Sequence, residues 1–435
     1  MQFPLLRGLL LCLAANALQP PLALITRRRT GRSGAKASVR SSTDARRLGS
    51  ARSSGEKRPD LARTASAAAL VAGTTVGGGF LGLPAVVKPA GFVPTVVTLT
   101  VSWLFLLAEA LVVAEAVGRC RGQASLSTVA EAAGASKLAV RGLFFALVTA
   151  TLASQLSKAG TLLPALSYRA ATLAAAVAAC VAVLGPSTKR AADLNAVLTA
   201  VFAMSAVGVG VSATTAVKSG ALAFDASQLA ITNGAAARRS VPTILQLLVF
   251  AETVPTVNEL LDGDAPRIRA ALTFGSLAPL LLEAAWACLG LGLITRGDPF
   301  EHLLGSDPTR ICSIVLAGAA VATTALGSIL ALKSDVAPTA SRPRRAALYA
   351  TLPAVAIAMT SPEVFFKAMD FAGAYPVAIL WGVFPPLACL KLRRTTSGAR
   401  TAGPDAWLAV LAAVSGLFVA STAARDIRGV FRLLF

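Results

Sequence analysis

Eleven apolar runs, most of about twenty residues, succeed one another between residues 65 and 424: 65–87, 92–117, 138–163, 170–186, 192–216, 241–261, 268–294, 310–332, 346–361, 371–390 and 405–424. Backbone in hydrocarbon must satisfy its own hydrogen bonds, so a chain built of such runs folds as a bundle of spanning helices. The composition agrees, with 55% hydrophobic and 14% charged residues. The net charge of +20 does not mark a nucleic-acid partner. The basic residues gather in the first 64 positions and in short loops, where membrane topology places them. Six cysteines (Cys12, Cys120, Cys180, Cys288, Cys312, Cys389) show no Cys-x-x-Cys spacing. They read as small apolar residues, not as a metal site or disulfide framework.

Residues 1–64 differ in kind. An apolar run, Leu9–Ala15, follows Arg7 and ends in Ala15-Asn16-Ala17, a small-x-small pattern. It is too short to span and reads as a secretory signal over 1–17. Residues 18–64 are rich in Arg, Ser and Ala and poor in acids; the whole of 1–64 holds 13 Lys/Arg against 3 Asp/Glu. A signal followed by a transit-like segment resembles the bipartite presequence of proteins sent to complex plastids. A mitochondrial presequence, or a basic tail after a signal anchor, is the alternative. The expected organisation is a presequence (1–64), a transmembrane domain (65–424) and a short amphipathic tail (425–435) at the membrane surface.

Loop charges set an orientation. Loops on the side of the mature N-terminus carry 16 Lys/Arg, and the opposite loops together with the C-terminal tail carry 11, which puts that N-terminus on the cytosol-like face.

Two runs are interrupted. Ala72–Pro84 contains five glycines, two threonines and Pro84. Gly in a helix interior costs about 1 kcal/mol and Pro about 3. In the sixth run, Glu252 stands at mid-span and Pro255 follows it. A carboxylate there must face a cavity or a partner, and Pro255 removes a backbone donor. The two interrupted runs lie five spans apart, the pattern of a 5+5 inverted repeat whose broken helices form a midplane site. The fold expected is therefore all-α and LeuT-like, with one helix beyond the ten and with spans 1 and 6 broken. Gly77–Gly82 formally satisfies G-x-G-x-x-G, but a dinucleotide fingerprint needs a preceding strand, and here an apolar span surrounds it.

The same residues carry a family resemblance. Ala72–Pro84 with Pro89–Pro94, Val254-Pro255 with Leu261–Asp264, Ala322–Gly327 and Ala368–Tyr375 resemble, in that order, the tyrosine/tryptophan permeases of the amino acid–polyamine–organocation superfamily, most nearly the plant-type plastid branch. The resemblance implies an eleven-span transporter of an amino acid, moved with a proton. One departure stands out: relatives usually place His after the aromatic in the sixth-span break, where this chain has Ala251 after Phe250. A carboxylate then becomes the expected proton carrier.

For substrate binding the candidates are Gly73, Thr74, Gly77, Gly78, Gly79, Phe250, Glu252 and Thr253. For coupling to a proton, or to sodium, they are Glu252, Glu115, Thr323 and Thr324. Each has a plainer role open to it. The glycines form Gly-x-x-x-Gly pairs that pack helices, Thr hydroxyls bond back to their own helix, Phe250 packs, and Glu115 sits near a helix end. Taking a carboxylate out of water disfavours its charged form, which suits reversible protonation. Glu109 and Glu283 are weaker candidates. Lys158, on one face with Gln155, should be paired or face a cavity.

Neither H-E-x-x-H, G-x-S-x-G nor a Walker sequence occurs, and His302 is the only histidine. No enzyme activity, cofactor or metal is expected. The partners expected are an amino acid, a coupling ion and the bilayer. The same fold carrying other neutral amino acids or amines, coupled to sodium, is the alternative. A non-transporting membrane protein is more remote.

Overall fold

The computed structural model describes residues 60–120, 125–163, 165–184, 188–293, 295, 297–336 and 343–434. The expected signal and most of the transit-like segment lie outside them. The described chain is helical, with one isolated pair of extended residues, Phe224 and Leu293. Eight helices are long and apolar enough to cross a membrane, a ninth crossing is the bent first span, and two shorter apolar helices complete eleven.

Span 1 is Asp60–Thr75 followed by Gly78–Gly82 and Leu83–Val87; it begins five residues before the expected position 65. Span 2 is Phe92–Arg119, span 3 Lys137–Leu162, span 4 Tyr168–Leu184 and span 5 Thr188–Lys218. Span 6 is Gly234–Leu248, Ala251–Thr253 and Val254–Leu260; span 7 is Ala265–Gly292, span 8 Asp307–Val336 and span 9 Pro343–Ala358. Span 10 runs through Val364–Ala372, Gly373–Val383 and Phe384–Thr395. Span 11, Asp405–Leu434, is one helix, so the expected tail continues it through Leu434.

The two halves match. A seven-residue helix follows span 2 (Leu126–Ala132) and another follows span 7 (Pro299–Gly305). The Trp103 indole N–H donates to Ser276 Oγ at 2.9 Å, and each residue lies eleven positions past the first of its span, Phe92 or Ala265. Spans 1, 2, 6 and 7 pack together, and spans 3, 5, 8 and 10 form a second group around span 3 and span 8.

Apolar side chains left outside the core follow helical spacing. Val93, Val97, Val101 and Leu104 form one stripe on span 2; Trp407, Val410, Val414 and Leu417 form another on span 11. Such stripes face lipid. Sharp reversals use the residues that tolerate them. Gly91 has φ +83°, and a Cβ there would collide with the Ile231 carbonyl.

Candidate substrate cavity

The first-span break is built as its glycines dictate. The helix stops at Thr75, Gly77 is extended (φ −151°, ψ −169°), and the chain re-enters a tight helical turn at Gly78. The two parts of the span meet at 46°. Of the last carbonyls of Asp60–Thr75, that of Ala72 accepts from Val76 N at 3.3 Å, and the three after it have no intrahelical donor. Gly78 N–H donates to Thr324 Oγ1 of span 8 at 2.8 Å. A Cβ on Gly78 would fall on Gln155 Oε1 of span 3, and one on Gly77 would strike Thr324. In span 6 the helix ends at Leu248 and restarts through Ala251–Thr253, with Pro255 in the first turn of the next segment.

A cavity of about 1020 Å³ lies between these breaks. Gly73, Thr74, Gly77, Gly78, Gly79, Glu252, Thr253, Thr323 and Thr324 all line it. The structure thus brings together nine of the residues singled out in the sequence. Glu252 is open to the cavity. Thr74, Thr253, Thr323 and Thr324 donate to carbonyls of their own helices, so their hydroxyl oxygens remain only as acceptors.

Two expected residues lie elsewhere. Phe250 is fully buried in the core and does not line the cavity; the turn at the break points its ring into packing. Glu115 is the hub of a buried ion network at the C-terminal end of span 2. It accepts from Arg119 Nε (3.0 Å), Arg393 Nε and Nη2 (2.7 Å each) and the N–H groups of Thr401 and Ala402 (2.9 Å each). A carboxylate so fully paired joins span 2 to span 10 and to the loop before span 11 and is not poised to meet an ion. Glu109 and Glu283 are buried outside the cavity lining.

Residues to which the sequence reading gave no binding role complete the wall. Gln155, Thr151, Gln246, Met369 and Trp381 line the cavity. A polar Gln246 one turn before the sixth-span break was the available signal. Trp381 carried none, because it is placed by the wide i→i+5 turns of Gly373–Val383.

An aromatic and ionic cluster lies just beyond the cavity lining. Phe80 stacks on Trp286 (centroids 4.7 Å), which meets Phe300 edge-on at 6.1 Å. The buried Lys158 ammonium lies 3.8 Å from Asp298 and 5.4 Å from the ring centres of Phe300 and Phe365, so it is paired, as expected. Burial pushes the Asp298 carboxyl above its ordinary range, against the pull of Lys158. Lys88 Nζ donates to Thr295 O at 2.5 Å. At the other end the lining reaches Ser125, Ser127, Lys137, Arg141 and Thr256, on the side where span 1 begins.

Two inverted halves, two broken spans and a cavity between them define a LeuT-like membrane transporter. The comparisons agree. A manganese transporter of Eremococcus coleocola, solved with an aromatic bis-isothiourea compound, superposes with TM-score 0.56 at 12% identity, over 86% of this chain and 88% of that one. A mutant of that transporter gives TM-score 0.55 at 14% identity over the same shares; likeness at this level concerns the fold alone. The family model described as "Tryptophan/tyrosine permease family" matches residues 62–420, and the chain belongs to that family. It is 25% identical over 358 residues to "Tyrosine-specific transport system 1" of Haemophilus influenzae, covering 73% of this chain and 88% of the relative.

Proposed function

We propose that the protein is a secondary active transporter that carries tyrosine- or tryptophan-like aromatic amino acids by alternating access, coupled to a proton. The observation that carries this reading is the cavity between the two helix breaks, with Glu252 open to it. Carbonyls freed at the end of Asp60–Thr75 and the Glu252 carboxylate suit an ammonium group. Glu252 alone among the carboxylates weighed lines the cavity, which makes it the carrier of choice for the proton. Rocking of the group of spans 1, 2, 6 and 7 against the other would expose the site alternately.

The test is uptake of labelled tyrosine and tryptophan into proteoliposomes, with and without an imposed pH gradient and with sodium replaced. Gradient-driven uptake that Glu252→Gln uncouples is the expected outcome. No uptake of either amino acid by folded protein overturns the reading. Uptake that follows sodium instead would move the coupling to oxygens such as Thr323 and Thr324 beside the first-span break.

The proposed location is a plastid membrane, with residues 1–64 as the address. Support comes from the signal-like and transit-like halves of that segment. Fusing residues 1–64 to a fluorescent passenger tests it, and retention in the secretory system would refute it.

A further inference from the structure

The hydrogen bond from Gly78 to Thr324 has a counterpart in the other half of the fold. Gln246, on the part of span 6 before its break, donates from its amide to Thr151 of span 3 at 3.0 Å. In a 5+5 repeat span 1 corresponds to span 6, and span 8 to span 3. A bond from span 1 to span 8 and one from span 6 to span 3 are therefore equivalent. All four residues line the cavity.

The chemistry of the two bonds matches as well. Thr324 Oγ1 donates its one proton to the Ala320 carbonyl at 3.0 Å, and Thr151 Oγ1 gives its own to the Leu147 carbonyl at 2.9 Å. Each hydroxyl can then only accept from the neighbouring helix. One takes the Gly78 N–H at 2.8 Å and the other the Gln246 NH₂. In both bonds a broken span donates and an unbroken one accepts.

Both donors stand on the same side of their breaks. Asn233 N–H, just before span 6, donates to the Ala90 carbonyl, just past span 1, at 2.9 Å. Arg63, near the start of span 1, pairs with Asp262, just past span 6, at 2.7 Å. Gly78–Val87 and Gly234–Leu248 are therefore the halves that lie away from the side on which span 1 begins. Among the described residues, the other two halves, Asp60–Thr75 and Val254–Leu260, make no hydrogen bond to span 3 or span 8.

We propose that Thr151 and Thr324 are positioning residues of the rocking step. They form a matched pair of hydroxyl acceptors that holds the far halves of both broken spans on spans 3 and 8, and both bonds must break before the site can turn to that side. Thr324 then serves as a contact between helices and not as a ligand for a coupling ion. The inference rests on the alternating-access part of the proposed function and assigns the groups that set its balance.

The experiment reads that balance without substrate. The full chain in proteoliposomes carries a Leu303→Cys reporter in the Pro299–Gly305 helix, where Leu303 is buried. It is labelled with a maleimide, and the chain without the reporter supplies the background. Thr324→Val and Thr151→Val each remove an acceptor and leave a donor unpaired, which should raise the labelling rate at least about fivefold. The double variant should multiply the two effects, because the bonds share no partner. Serine at either position keeps the hydroxyl and should keep the parent rate. Gln246→Met should reproduce Thr151→Val, and combining the two should add less than about twofold. Every shift should persist with sodium replaced. Should a valine variant not fold, alanine at the same position takes its place. Parent-like labelling in both single variants overturns the inference. So does an equal rise in the serine variants, or a Thr324→Val effect confined to sodium. Normal tyrosine uptake beside any of these leaves the transport reading standing. Labelling shifts as expected in a chain that carries neither tyrosine nor tryptophan overturn the proposed cargo and support the pair.

Discussion

The two ends of the cavity are made of different materials. The end that the loop charges make the outer one is interlocked: a stack of Phe80, Trp286 and Phe300, and a buried lysine near two rings and an aspartate. The inner end is polar, with Ser125, Ser127, Lys137 and Thr256 at its mouth. The cavity lining reaches the side on which span 1 begins, the side the loop charges make the inward one. The contrast also shows where the work of the return step lies, since the outer contacts must separate before the site can face the other way.

The largest expected effect falls between the two ends. Gly78→Ala would place a methyl group on Gln155 and displace the break itself. A shift of about 1 Å at a positioning site can cost about 100-fold in rate, and tyrosine uptake should fall by about that factor with the protein still folded. Near-normal uptake would mean that the break is not the substrate's seat.

The outer lock comes next. Lys158→Met leaves Asp298 beside apolar rings without its cation, and breaking a buried pair costs about 3 kcal/mol. Maleimide labelling of a Leu303→Cys reporter in the Pro299–Gly305 helix should rise, and adding Asp298→Asn should reverse part of that rise. Labelling insensitive to both changes would show that the rings alone hold this end shut.

Acid should act on the same lock more gently. Burial raises the Asp298 carboxyl above its ordinary 3.8, so it takes up a proton before exposed aspartates do as pH falls. Protonation ends its attraction for Lys158, and reporter labelling should increase as pH falls through that raised value; the increase should vanish in Asp298→Asn. Global stability runs the other way. The folded protein prefers the neutral carboxyl, so the stability tied to this group is present at low pH and lost as pH rises past the folded value.

The smallest effect belongs to the inner surface. Arg267 pairs with Asp60 at 2.5 and 2.8 Å, and Arg63 with Asp262 at 2.7 Å. These pairs are solvent-exposed, and each contributes about 0.5 kcal/mol. Asp60→Asn should lower the melting temperature slightly and leave uptake within about twofold. A loss comparable to that from Lys158→Met would erase the contrast between the two ends.

What could be read from the sequence follows from how local each signal is. The eleven apolar runs and both breaks announce themselves within a dozen residues, because Gly77-Gly78-Gly79 and Glu252–Pro255 are costly in lipid wherever the rest of the chain lies. The nine cavity-lining candidates come from those two stretches and from Thr323-Thr324. Glu115 could not be read that way: its partner Arg393 lies 278 residues further on, and only the packing of span 2 on span 10 joins them. Phe250 stands in the right segment, but the torsions at the break aim it into the core (φ −140°, ψ 0°). Trp381 depends on a change of helical pitch around Pro376. Residues 1–59 and the side chains after Gly429 lie outside what the structure describes.

The Trp103–Ser276 hydrogen bond has a consequence for observing the cycle in real time. Both partners belong to the group of spans that would rock as one body. They also sit at equivalent points of the two inverted halves, so their surroundings should change least between inward-facing and outward-facing states. The chain has four tryptophans. Trp103 is thus a natural internal standard, a constant emission against which the Trp286 signal, arising where the outer stack must open, can be read as a clock for the turnover.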